Sequence, residues 1–267
     1  MRNKAPNDSL TKNRKAASPA ISMVIITAVT IVLVLVTGSY AYQVLERQRG
    51  ASEFETVKKS IIAFDDAVRD VAWDRNGVRS ARFTVDYGHL ELVPDMLPLN
   101  VTVMGYPANY VTSTAYVRYS ISTNYITFGD GYQSYILGNN KTIISGSTEG
   151  FGRALIKQES NNVNILLNYR VRAVRTSVFN VSGTLVNYID ILIIKINVAK
   201  WSMYIGDFDL VAKNIDISTN SSGPYDVNGD CVIFASLSGL TSSSTIDLEL
   251  GTKVVFNFVV AQVEVGV

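Results

Sequence analysis

Cysteine and histidine are almost missing from this chain: its 267 residues include one of each, Cys231 and His89. A single cysteine permits no internal disulfide, so an outer domain must rely on its core or on association. The reading of Cys231 that needs least is a small buried apolar residue. A single histidine excludes a metal site built on several imidazoles and a Cys/His zinc site. A Ser-His-Asp arrangement would have only His89 to use, and no serine stands in a nucleophile elbow. Net charge is also nearly absent, with 24 basic and 23 acidic residues and no basic block, which argues against nucleic acid as the partner. Removing the five basic residues and one acid of residues 1–16 leaves 19 against 22.

Charge is missing altogether between Lys15 and Glu46. A bilayer core takes roughly 20 apolar residues in a helix, and the run from Ala16 to Leu45, with Ile21–Val36 at its centre, is long enough to span. Lys12, Arg14 and Lys15 precede it. Basic flanks stay in the cytoplasm, so the C-terminal part is expected outside the cell. Three fates of the segment compete. A secretory signal peptide would be cut after Ser39-Tyr40-Ala41, although its apolar region is usually about 7–15 residues. An uncleaved anchor would keep everything. A prepilin-type leader would be cut on the cytoplasmic side of the helix.

The sequence Arg14-Lys15-Ala16 followed by Ala17-Ser18-Pro19 resembles the class III signal peptide of archaeal type IV pilins: a basic pair, a small residue, the cut, then Ser-Pro. The resemblance covers residues 12 to about 74. It implies cleavage between Ala16 and Ala17, with Lys15 as the charge read by a prepilin peptidase. It also implies a platform membrane protein and an assembly ATPase as partners. Bacterial pilins carry Glu at the fifth mature position, where this chain has Ile21. Archaellins favour a Gly-rich start that is absent here.

Residues 17–49 read as one hydrophobic helix, with Tyr40 and Tyr42 near its outer end, where aromatic residues favour the interface. Thr27, Thr30, Val34, Thr37 and Ala41 recur at helical spacing and give a small face. Such faces let helices approach closely, and equally a threonine hydroxyl can bond back to its own helix. Gly50 is expected to break this helix. Ser52-Glu53-Phe54-Glu55 then offers a capping box, and Phe54, Val57, Ile61, Phe64, Val68 and Val71 form an apolar stripe at alternating spacings of 3 and 4, the pattern of an amphipathic helix. Glu55–Lys59 and Asp65–Arg69 are expected on its polar face. Asn76-Gly77 supplies the stop, with glycine as the left-handed cap.

From Val78 the periodicity changes to two. Strands are expected at 78–85 and 89–93 around a tight turn at Tyr87-Gly88. Others are expected at 112–123, 164–174, 185–198 and 253–265, with Asn180-Val-Ser-Gly183 turning between two of them. Residues 78–267 are therefore expected to form an all-β, sandwich-like domain, giving an α+β chain of four parts: leader 1–16, hydrophobic helix 17–49, amphipathic helix 50–77 and β domain.

Little else carries chemistry. Asp226-Val-Asn-Gly-Asp230 resembles the start of a calcium loop, but Cys231 stands where a glycine belongs and the later glutamate is absent, so a polar turn explains it better. Phe128-Gly-Asp-Gly-Tyr132 is another turn signal. Asp65-Asp66 are adjacent on a helix and do not converge. Asn100, Asn140, Asn180 and Asn220 begin N-glycosylation sequons. No catalytic residue, metal ligand or cofactor site is assigned. The expected function is a structural subunit of an archaeal surface filament, working with the membrane and other copies of itself. The alternatives are a membrane-tethered β-domain that binds or adheres and, less favoured, a tethered glycan-active enzyme using two carboxylates brought together by the fold.

Overall fold

The computed structural model describes residues 14–146, 148–249 and 252–267, with the backbone alone for 14–20. The chain divides into two compact units, one ending at Arg49 and one spanning Gly50–Val267. One helix, α1 (Arg14–Ala72, 59 residues), replaces the two expected. Gly50 does not break it. A Cβ at Gly50 would lie 2.7 Å from the Tyr125 side chain, so glycine is there to admit that ring. The capping box is not formed either. Ser52 lies inside the helix, where its carbonyl accepts the Thr56 hydroxyl at 3.0 Å. Glu55 pairs with Lys58 at 2.9 Å instead of Lys59. The helix ends at Ala72, whose carbonyl accepts the Asn214 amide at 2.7 Å. The left-handed residue beyond it is Asn76 (φ 62°), not Gly77.

Twelve strands follow: β1 (Val78–Val103), β2 (Asn109–Ser122), β3 (Gln133–Leu137), β4 (Ile143–Ile144), β5 (Gly152–Glu159) and β6 (Asn162–Tyr169), then β7 (Val171–Val181), β8 (Thr184–Asn197), β9 (Ser202–Asp226), β10 (Cys231–Leu237), β11 (Leu240–Ile246) and β12 (Lys253–Gly266). They form one mixed sheet in the order β3-β5-β6-β2-β1-β9-β12-β8-β7-β4, with β10 beside β1 and β11 beside β10. The pairs β12–β8 and β4–β7 are parallel; the rest are antiparallel. The strands are thus hydrogen-bonded into one continuous sheet. Tyr87-Gly88 is not a turn but part of β1, at a bulge where the β1–β9 register shifts between Val85 and Leu90. The expected strand 164–174 is two strands, β6 and β7, parted at Arg170. The β7–β8 hairpin turns where expected, with Ser182 and Gly183 both at positive φ.

The sheet holds two hydrophobic clusters. In the first, Phe54, Val57, Ile61, Phe64, Val68 and Val71 of α1 are buried among residues such as Phe83, Leu90, Ile165 and Val263. Phe64 meets Phe83 edge-on at 6.4 Å. The second gathers Leu99, Ile191, Ile233, Phe256, Phe258 and Cys231 with no segment of α1. Long strands serve both. Strand β1 gives Phe83–Leu92 to the first cluster and Leu99–Val103 to the second, and β12 gives Val254–Val260 to the second and Ala261–Val265 to the first. Thr142 closes the second cluster: its hydroxyl donates to the Ala235 carbonyl at 2.5 Å and its N–H to Ser242 Oγ at 2.8 Å. Cys231 is fully buried, and burial pushes its thiol up to about 12.

Candidate functional site

The segment Ile21–Leu45 of α1 carries no charge and is exposed along its length, from 73 % at Met23 to 43 % at Leu45. Among the described residues this is the one helix long and apolar enough to cross a membrane. A soluble domain leaves isolated apolar side chains in water, not a continuous helical surface of them. Thr27 and Thr30 spend their hydroxyls on their own helix, each donating at 2.8 Å to the carbonyl four residues back, Met23 and Ile26. That satisfies the polar atoms internally, as a helix in hydrocarbon requires. Val34 is 65 % exposed, and Thr37 and Gly38 line a shallow groove beside it. Of the cleavage residues, Lys15, Ala16 and Ala17 lie in the helix by their backbone; residues 1–13 of the proposed leader lie outside the described residues.

Two carboxylates on the buried side of residues 50–72 escaped the sequence reading. Glu53 is four residues before Val57 and is 8 % exposed. Its Oε2 accepts the backbone N–H groups of Asp86 and Tyr87 at 2.6 and 2.8 Å, and its Oε1 accepts Gly88 N–H at 2.9 Å and the Tyr119 hydroxyl at 2.7 Å. The β1 bulge turns three successive N–H groups toward one carboxylate, a concave anion site built from backbone. Burial, and then the hydrogen bond to Glu53 and its charge, hold the Tyr119 phenol well above its ordinary range. Asp65 was expected on the polar face. It is instead 4 % exposed, 3.2 Å from Arg69, and its Oδ1 has no hydrogen-bond partner. Burial raises its pKa from 3.8 to about 6, against the opposing pull of Arg69, Arg170 and the Tyr169 hydroxyl. Gly152 makes room for it, since a Cβ there would lie 2.0 Å from Asp65 Oδ1. Both carboxylates occupy helical positions that share the apolar stripe, and that spacing was the signal available in the sequence.

The remaining candidate residues have ordinary surroundings. His89 Nε2 stands 3.3 Å from Glu91 Oε1. Asp226 pairs with Lys253 at 2.9 Å. In the glycine turn, Gly129 and Gly131 take positive φ, and the Gln158 side chain accepts Phe128 N–H at 2.7 Å. Among the described residues no three His, Cys, Asp or Glu side chains are grouped to hold a metal ion. The sequon asparagines Asn100, Asn140, Asn180 and Asn220 are all exposed. Asn140 lies in a loop, whereas the other three lie on strands β1, β7 and β9. Their hydroxyl partners differ: Thr102 and Ser182 are exposed, Ser222 is engaged by Tyr225 at 2.6 Å, and Thr142 is fully buried.

No protein-family profile, no curated protein and no solved structure matches this chain.

Proposed function

We propose that the chain is a pilin-like structural subunit of an archaeal surface filament, held in the membrane by Ile21–Leu45 before assembly. The observation that carries this reading is the uncharged, uniformly exposed helical surface of that segment. Such a surface requires lipid or other copies of the same helix as its surroundings. The basic flank Lys12, Arg14 and Lys15 orients the β domain outward, and the cut between Ala16 and Ala17 would leave the hydrophobic helix at the mature N-terminus. The prepilin peptidase, platform membrane protein and assembly ATPase enter through the resemblance of that leader to archaeal type IV pilins.

The test is the mature N-terminus of the native protein. Mass spectrometry should find Ala17 as the first residue, and Lys15→Glu should block processing. A start at Tyr42 would assign the segment to a signal peptidase and remove the filament reading. A second reading, a tethered β-domain that stays monomeric, is favoured by the hydroxyls of Thr27 and Thr30, which bond back to their own helix rather than to a partner helix. An intact N-terminus together with permanent residence in the membrane fraction selects it.

A further inference from the structure

The β7–β8 hairpin ends in a segment that neither the membrane helix nor the core uses. Residues 178–183 are all exposed, and they hold Asn180-Val181-Ser182, one of the sequons of the β domain. The last pairs of the hairpin are Asn180 with Leu185 and Val181 with Thr184. Among the described residues, β4 covers the outer edge of β7 only at Val171 and Arg172. The hairpin end is therefore held from one side alone, and such ends open at low free energy.

A sugar transferase that reads a sequon needs an exposed amide nitrogen, a free hydroxyl two residues on, and a backbone that can leave its pairing. The structure sorts the four sequons on these grounds. The Thr142 hydroxyl of the Asn140 sequon is fully buried and donates to the Ala235 carbonyl. Asn100 is paired on both sides, with Val111 of β2 and Ser236 of β10, and the Thr102 hydroxyl donates to Asn100 Oδ1 at 3.3 Å. Asn220 is paired with Phe258, and Ser222 Oγ lies 2.6 Å from the Tyr225 hydroxyl. At Asn180 the side-chain oxygen accepts Gly183 N–H at 2.8 Å, which leaves Nδ2 as the open end of the amide. The Ser182 hydroxyl is exposed and has no partner among the described residues.

We infer that Asn180 is the residue that accepts an N-linked glycan, and that the other three sequons stay bare on the folded domain. The donor is a lipid-linked sugar phosphate. Asn180 Nδ2 attacks the anomeric carbon, the bond from that carbon to the phosphate oxygen breaks, and the phosphate keeps the electron pair. The nitrogen gives one proton to a base of the transferase, and nothing is oxidised or reduced. Residues two apart on a strand, and residues directly opposite across an antiparallel pair, share a face, so Asn180 lies between Val178 and Leu185. Both are exposed apolar side chains that the first sugar would shield from water. The inference rests on the outward placement of the β domain, which both functional readings share.

The test is peptide mass spectrometry of the full chain from native cells. The four sequons fall in separate tryptic peptides, spanning 83–118, 119–141, 176–195 and 214–253. Peptide 176–195 should carry a sugar mass and the other three should not. Asn180→Gln and Ser182→Ala should each lose that mass, and Ser182→Thr should keep it. Sugar on Asn140 would mean that transfer precedes folding, and sugar on Asn100 or Asn220 would mean that strand pairing is no barrier; either overturns the inference, as does an unmodified Asn180. Proteinase added to intact cells reads the outward placement separately. A domain that is digested but unmodified at Asn180 overturns this inference alone, whereas a domain that is protected overturns the outward placement with it.

Discussion

The carboxylate of Glu53 and the hydroxyl of Tyr119 meet at 2.7 Å inside the first core cluster, joining α1 to β2. Around that bond the β1 bulge adds three backbone N–H groups to the same carboxylate. Gly88 is required there because a Cβ would lie 2.6 Å from the Tyr119 ring. Removing Glu53 orphans four donors at once, each costing roughly 1–3 kcal/mol when left buried and unpaired. Glu53→Ala should destabilise the protein by at least about 3 kcal/mol, and Tyr119→Phe by about 1.5–3 kcal/mol, because it removes one bond to a charged group. Thermal unfolding followed by circular dichroism measures both. If Tyr119→Phe costs as much as Glu53→Ala, the backbone N–H groups contribute nothing.

Asp65 makes stability depend on pH in the direction opposite to a surface ion pair. Its carboxyl titrates at 3.8 unfolded and at about 6 folded, so folding takes up a proton between those values. The contribution is fully present below pH 3.8 and is lost as pH rises through about 6. The shift corresponds to about 3 kcal/mol. The groups facing it are Arg69, Arg170 and Tyr169. Asp65→Asn should remove this slope and raise stability at pH 7 relative to the parent chain. A parent chain that gains stability from pH 4 to 6, with that gain lost in Asp65→Asn, would place the carboxylate in a strong ion pair instead.

Phe64 lies at the centre of the buried stripe, fully covered and against Phe83. Phe64→Ala should cost about 3–5 kcal/mol. Exposed Ile62, on the opposite side of the same helix, should tolerate Ala within about 0.5 kcal/mol. Chemical denaturation of the two variants gives the comparison, and equal effects would mean that the stripe does not carry the packing of α1.

The sequence was legible where one physical signal dominated. The stripe from Phe54 to Val71 shows in its spacing, and β2, β8 and β12 show in the alternation of their side chains. Strand β9 was hidden because its half from Ile215 to Asp226 is rich in Ser, Asn and Asp, with Gly and Pro at 223 and 224. Only its pairing with β12 makes it a strand. Gly50 and Gly88 signalled a break and a turn, yet each is a close-approach glycine whose neighbour, Tyr125 or Tyr119, is distant in sequence. Asp65 with Arg69 four residues on had the pattern of a surface pair. Its burial follows from Tyr169 and Gly152, which no local window contains.

If Ile21–Leu45 leaves the bilayer only by packing against copies of itself, Val34 is the position where a charge is least tolerable. A charge at the middle of an apolar helix costs about 2.5–3.5 kcal/mol on insertion scales, a burden that every subunit of a helical core would carry. The measurement is the amount of full-length protein in the sheared surface fraction relative to the membrane fraction, for the parent chain and Val34→Arg. Parent chain should appear in sheared filaments, and the variant should stay confined to the membrane. Filaments unchanged by Val34→Arg, or a parent chain that never leaves the membrane fraction, would contradict this packing.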